Sequence, residues 1–371
     1  MNRELDRPLF LALLFLLGFG IVQIYSSSYI FAIESFDDGL FFVKKQALFV
    51  ALALIVLLVT AYLPLQWVVK LGLCLWILSF IGVGLTLVPG LGVRVGGASR
   101  WLNIASGFRF EPSELLKYTY PLLLAFVFTR EKVRLSSATQ LSFAALPFLP
   151  LGLLIMQPDF GSVALLSVMI LSILFLHGLR WRYVFTGLAV ACLTFYFLIV
   201  RVDYRMARIT AFLDPWSDPA QKGFQVIQSM LGFFSGGLTG VGLGQGQGKL
   251  FFLPEAHTDF TLSVLAEELG FIGILFVLSI FGFVMLRGFQ IAARAKNEFE
   301  QTVALGVTIM FSLTAMVNAG VAMGVLPTKG LGIPFLSYGG SALVATCFGL
   351  GILLNIDRTQ KVIYKKSFIR I

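Results

Sequence analysis

Apolar runs of about 20 residues recur along the whole chain, separated by two kinds of polar segment. One kind is short and basic, and the other is longer and rich in Gly and Pro. A run of that length, wound as a helix, covers the hydrocarbon core of a bilayer. The pattern predicts ten membrane helices, at residues 8–33, 46–63, 66–88, 112–129, 140–156, 160–177, 183–200, 260–286, 302–324 and 341–356. An even number of crossings leaves both termini on one side. The expected architecture is therefore an all-α polytopic membrane domain over residues 1–371, with one large extracytoplasmic loop at about 201–259.

Composition agrees: the 371 residues are 58% hydrophobic and only 13% charged, and the mean hydropathy is +0.89, so several soluble domains are excluded. Charge adds the orientation. With the N-terminus inside, the short loops and the tail on that face carry 16 Lys/Arg and 6 Asp/Glu of the 28 and 19 in the chain. Basic short loops mark the cytoplasmic side, so the net charge of +9 reports topology and not nucleic-acid binding. Residues 10–24 imitate a signal peptide, but no small-residue cleavage site follows and further spans do, so they read as a membrane helix. The cysteines Cys74, Cys192 and Cys347 fall within apolar runs and form no CxxC, which excludes a disulfide frame or a metal cluster built on them.

Chemistry-bearing residues gather on the outer face. Between the third and fourth spans, Arg94, Arg100 and Arg109 alternate with Trp101, Phe108 and Phe110, a pattern that suits an interfacial stretch reaching for phosphate and equally suits plain anchoring. Glu114 and Lys117 share a helix face just inside the fourth span, either as a functional pair or as a structural ion pair, and Ser113 is positioned to cap. Asp159, in QPDFGS, reads first as a helix N-cap. Residues 324–340 hold two prolines and five glycines around Lys329, which forbids regular helix. That lysine either meets an anionic group or snorkels to the surface.

The stretch LPEAHTDFTLSVLAEELGF adds His257, Asp259, Glu267 and Glu268 at the mouth of the eighth span. Asp259 is placed to cap that helix. Glu267 and Glu268 are two turns too deep for capping, and uncompensated carboxylates are costly there. His257 in a loop, and His177 at an inner helix end, have bland readings as solvated or interfacial residues. The Gly-rich GVGLGQGQGK fits neither a Walker loop nor a dinucleotide fingerprint, leaving flexible backbone near a bulky ligand or partner. Carboxylates and cations beside lipid suit a lipid-linked diphosphate: cations offset the phosphates, and a carboxylate in an apolar mouth serves as base.

At SRWL (99–102), EPSELLK (111–117), QPDFGS (157–162), GFQVIQS (223–229), LPEAHTDF (253–260), AEELG (266–270) and LPTKG with PFLSYGGS (326–341), the chain resembles the SEDS family of shape, elongation, division and sporulation proteins. DPWSDP (214–219) and PTKG bring it nearer the division branch than the elongation branch. The resemblance implies an inverting glycosyltransferase that polymerises lipid II into peptidoglycan strands on the outer face of the bacterial cytoplasmic (inner) membrane. It places the catalytic aspartate on Asp259 and essential charged residues on Glu114, Lys117 and Lys329, while Arg100, Asp159 and His257 are further candidates for binding substrate. It implies a class B penicillin-binding protein transpeptidase as partner, FtsI-like in division and accompanied by FtsQ, FtsL and FtsB. A divalent cation, Mg or Mn, is a possible cofactor, though no dedicated cage is visible in the sequence. Two rival readings remain: a lipid II flippase, which needs polar stepping points through the midplane, and a non-catalytic scaffold for a transpeptidase.

Overall fold

The computed structural model describes residues 5–95, 98–105, 108–129, 146–178, 181–196, 201, 206, 209–210, 212–221, 223–328 and 330–368. The chain is a mostly helical, polytopic membrane protein. Its helices are α1 (Arg7–Phe36), α2 (Phe41–Tyr62), α3 (Leu65–Thr86), α4 (Pro112–Thr129), α5 (Leu149–Met156), α6 (Phe160–Leu176), α7 (Trp181–Phe195), α8 (Phe224–Gly236), α9 (Thr261–Ala293), α10 (Glu298–Ala322) and α11 (Gly340–Phe368). Among the described residues, six are long and apolar enough to cross a membrane: α1, α2, α3, α9, α10 and residues 340–360 of α11. Of the expected fifth span, residues 140–145 lie outside the described residues, and in the remainder a 3-10 turn at Leu146–Phe148 leads into α5.

Local signals set several helix starts. Asp6 caps α1 through Leu9 N–H, with Pro8 in the first turn; Asn297 caps α10 through Glu300 N–H. The fourth expected span coincides with α4, although its polar first two turns keep it out of the apolar six. Burial explains how it is tolerated, because α4 is enclosed by α3, α6, α10 and α11 and so faces protein more than lipid. Close backbone approach tightens this bundle: Gly306 of α10 lies against Pro121 of α4, and Gly351 of α11 against Leu57 and Thr60 of α2.

The all-α expectation needs one correction. Three segments, β1 (Gly92–Val95), β2 (Ala98–Ala105) and β3 (Phe108–Phe110), form an antiparallel sheet in the order β1-β2-β3. The Arg/aromatic alternation that read as interfacial is a period-two pattern, and pairing Val93 with Trp101 and Leu102 with Phe110 converts it into strands. The sheet packs on α3 and α4 and so carries Arg100 over the mouth of the bundle.

The expected outer loop also contains a helix. α8 runs beside the start of α9, with Gly232 against the Ser263 carbonyl and Gly236 against Ala266, and the segment after it continues with Gly240 against Glu268. At Gly270, α9 is broken (φ 65°, ψ −167°), and the segment after α8 fills the break. Val241 and Gly242 N–H donate to the carbonyls of Glu267 and Glu268, each at 3.0 Å. Phe271 and Ile272 N–H donate to the carbonyls of Gly237 and Leu238, at 2.9 and 3.1 Å. The groups freed by the break are thus satisfied by a neighbouring segment, as a helix interrupted near lipid requires.

This packing depends on the absence of a side chain at Gly236, where a Cβ would stand 2.0 Å from the Ala266 carbonyl oxygen. Gly236→Ala is expected to cost about 1–3 kcal/mol, the usual range for overpacking. Gly84→Ala meets nothing within 4 Å and should cause no loss. Thermal melting of both variants in detergent checks the contrast.

Candidate active site

Asp259 sits in a turn immediately before α9 and is partly exposed. It does not cap the helix: the N-cap is Phe260, without a side-chain cap bond. The turn is instead fixed through its backbone. Asp259 N–H donates to the Glu255 carbonyl at 3.1 Å, and the Asp259 carbonyl accepts from Asn318 Nδ2 of α10 at 3.0 Å. The same Asn318 nitrogen donates to the Leu331 carbonyl at 2.5 Å, so one buried amide ties this turn to the loop after α10. Ser337 adds a second tie, donating to the Thr258 carbonyl and accepting from Ile333 N–H.

Among the described residues of 323–339 there is no regular helix, as the prolines and glycines predict. The loop lies between α1 and α6, with the Phe335 carbonyl over Gly20 and Leu331 against Gly161. Its Gly330 has a φ of 63°, in the left-handed region that favours glycine. A methyl carbon there would stand 3.5 Å from Asp259 Oδ2 and 3.7 Å from Arg100 Nη1. The carboxylate and the guanidinium therefore face the same point, one residue from Lys329, which itself lies outside the described residues.

Arg100 is oriented from the opposite side by the turn that leads into α6. Its Nη2 donates to the Pro158 carbonyl at 3.2 Å and pairs with Asp159 Oδ1 at 3.5 Å. The expected N-cap role of Asp159 is also present, since Oδ1 accepts from Ser162 N–H at 3.4 Å. Lys117 Nζ pairs with Glu114 Oε1 at 2.6 Å, with the lysine almost wholly buried and the glutamate partly exposed. Ser113 Oγ donates to Glu111 Oε1, and Glu111 N–H donates to Ser341 Oγ, both at 3.1 Å. Five ionisable groups from three separate motifs, Arg100, Glu111, Glu114, Lys117 and Asp159, thus form one electrostatic cluster.

Glu111 is the member that motif reasoning left unassigned. Burial pushes its carboxyl up to about 8, and the neighbouring Glu114 and Asp159 charges push in the same direction against Lys117 and Arg100. Its place directly before Pro112, one helical turn from Glu114, was the available signal.

The remaining candidates serve other contacts. His257 stacks on Phe31 at 5.3 Å and lies 4.8 Å from the Phe42 ring, while its carbonyl accepts from Tyr338 N–H. Burial lowers its imidazole pKa against the opposing pull of Glu255. Glu267 accepts from Gln247 and Gly248 N–H, and Glu268 pairs with Lys249 Nζ at 2.6 Å and with Ser26. These two carboxylates hold the Gly-rich segment onto α9 and α1, so that segment is clamped where flexible backbone was expected. His177 bonds Thr302 at the other end of the bundle.

A carboxyl whose folded-state pKa is raised stabilises the fold below its unfolded value of 4.5 and loses that contribution as pH rises through about 8. Glu111→Gln, which keeps the shape without the proton, is expected to flatten the fall in stability between those pH values. Melting temperature measured across that range for both proteins checks it.

A relative in Trichlorobacter lovleyi, described as a probable peptidoglycan glycosyltransferase FtsW, is 41% identical over 361 residues, covering 97% of this chain and 94% of its own. A relative of the same description in Geobacter metallireducens is 42% identical and covers 92% of both chains. Among solved structures, a chain from a study of how a peptidoglycan synthase complex coordinates polymerization and crosslinking superposes with a TM-score of 0.77 at 30% identity, covering 96% of this chain and 98% of that one. The Rod shape determining protein RodA of Thermus thermophilus superposes with a TM-score of 0.69 at 26% identity over the same shares. The FtsW/RodA/SpoVE family, described as cell cycle proteins, matches residues 7–362. The chain belongs to that family.

Proposed function

We propose that this protein is a peptidoglycan glycosyltransferase of cell division, polymerising lipid II into glycan strands by an inverting mechanism. The observation that carries the reading is the meeting of Asp259 and Arg100 over Gly330, within the mouth that also holds the Glu114–Lys117 pair. The family and the description shared by the FtsW relatives support it. In this reading the chain crosses the bacterial inner membrane ten times with both termini cytoplasmic, and the mouth opens on the extracytoplasmic side.

Inversion requires a single displacement with a base opposite the leaving group. Asp259 accepts the proton of the GlcNAc 4-hydroxyl of the acceptor lipid II, and that oxygen bonds to the anomeric carbon of the growing strand. The bond from that carbon to undecaprenyl diphosphate breaks, and the electron pair leaves with the phosphate. Diphosphate is already a good leaving group, so fixed positive charge helps more than a proton donor. Arg100, held by Asp159 and the Pro158 carbonyl yet partly exposed, supplies that charge together with Lys329. Lys117 is buried against Glu114 and acts by holding that carboxylate in place. The described residues contain no group of three or more His, Cys, Asp or Glu placed to hold a metal, so no step is assigned to Mg or Mn.

A class B penicillin-binding protein is the partner this reading implies, FtsI-like and joined by FtsQ, FtsL and FtsB; the similarity to a chain of a peptidoglycan synthase complex supports the transpeptidase. The gathering of charged groups at one mouth favours polymerisation over transport across the midplane.

Purified chain with its transpeptidase partner, supplied with lipid II and read as glycan length on a gel, tests the proposal. Asp259→Asn should lose more than about 100-fold in rate, the usual weight of general base catalysis or more. Polymer made at the wild-type rate would remove Asp259 from the chemistry. Lys329→Ala should raise the lipid II concentration needed for half-maximal rate, and an unchanged dependence on substrate would count against its role.

A further inference from the structure

Residues 223–248 contain no charged side chain, although the segment lies outside the expected spans. Its backbone is bound into the α9 break, yet its apolar side chains turn outward: Phe234 is 85% exposed, Leu238 71% and Leu243 54%. That surface is continuous with a face of α9 below it, where Phe271 is 59% and Leu275 57% exposed, and Phe271 N–H is bonded to the Gly237 carbonyl.

The depth of this tip follows from α1. Asp6 pairs with Arg287 of α9 at one end of the bundle, and Ser26 bonds Glu268 of α9 further along α1. The separation from Asp6 to Ser26 is about 20 residues of helix, roughly 30 Å, which is the thickness of the hydrocarbon core. If the first pair marks one edge of the core, the Ser26–Glu268–Lys249 cluster marks the other. Gly242 is bonded to the Glu268 carbonyl, so the tip from Phe234 to Leu243 lies at that same edge. Tyr25 and Tyr29 of α1, both exposed, flank the same level, as aromatic side chains do at a lipid–water interface.

We propose that the Phe234–Leu243 tip is seated in the lipid interface, with phospholipid as its partner, and is not a water-exposed loop. Continuity with the apolar face of α9, the charge-free sequence and the matching depth all point to lipid in preference to a protein partner. The inference does not depend on the enzymatic reading.

Single cysteines introduced as Phe234→Cys and Leu238→Cys, in a full chain with Cys74, Cys192 and Cys347 replaced, can be spin-labelled in phosphatidylethanolamine/phosphatidylglycerol vesicles. Collision with oxygen, which concentrates in lipid, is then compared with collision with a water-soluble nickel chelate. Leu275→Cys serves as the lipid reference and Ser217→Cys, at an exposed polar turn, as the water reference. The oxygen-to-nickel ratio at 234 and 238 should lie nearer that of 275. A ratio matching 217 overturns the proposal, and so does exclusion of both reagents, the signature of a covering protein surface or a second copy. The unmodified chain provides a check independent of those variants: a phospholipid carrying a photoreactive diazirine near its glycerol should leave adducts within residues 231–243. Adducts on 271–276 with none on 231–243 would equally sink it.

Discussion

Four backbone hydrogen bonds across the break in α9 are the constraint on which the upper part of the molecule rests. A helix interrupted near lipid frees amides and carbonyls that water cannot satisfy, and each unsatisfied group costs several kcal/mol. Here the segment after α8 supplies partners to both sides of Gly270, and the Glu267 and Glu268 side chains hold the continuation of that segment through Gln247, Gly248 and Lys249. The short helical piece from Thr261 to Leu269 becomes a separately braced unit with Asp259 at its head. Ser229 of α8 fastens the same unit through Ser263 and the Ala322 carbonyl.

That bracing bears directly on chemistry. A base is effective only when held within hydrogen-bond reach of its proton, and small misplacements are costly. Asn318 and Ser337 fix the Asp259 turn to the loop carrying Gly330, and Asp159 with the Pro158 carbonyl fixes Arg100 from the other side. Base and cation are therefore set by three separate elements of one packed body: α10, the loop after it and the turn before α6. The charged cluster behind them is tolerable for the same reason that α4 is tolerable: protein, not lipid, surrounds it. Because burial pushes the Glu111 carboxyl toward its neutral form, the cluster carries less uncompensated negative charge than the sequence alone suggests.

Much of this was legible from residue order. Apolar runs gave the helical membrane class, and α4 and α6 begin where Pro112 and the Asp159 cap place them. Prolines and glycines between α10 and α11 announced irregular backbone. Glu114 and Lys117, three residues apart, pair as helical spacing dictates. These features depend on neighbours in sequence, and local geometry is sufficient to decide them.

Other features depended on distant partners. The period-two pattern at residues 92–110 read equally as an interfacial stretch until strand pairing chose the sheet. Asp259, placed in sequence to cap α9, was withdrawn from that role because its turn is anchored to Asn318, 59 positions away. Glu267 and Glu268 looked like costly carboxylates, but their partners come from the Gly-rich segment and from α1. The sequence by itself determined which residues are apolar, charged or backbone-breaking, and hence the class of protein and the motifs that bear chemistry. Only the tertiary structure decided which charges meet, because pairing across long separations is settled by packing and by the requirement that polar groups removed from water find a partner.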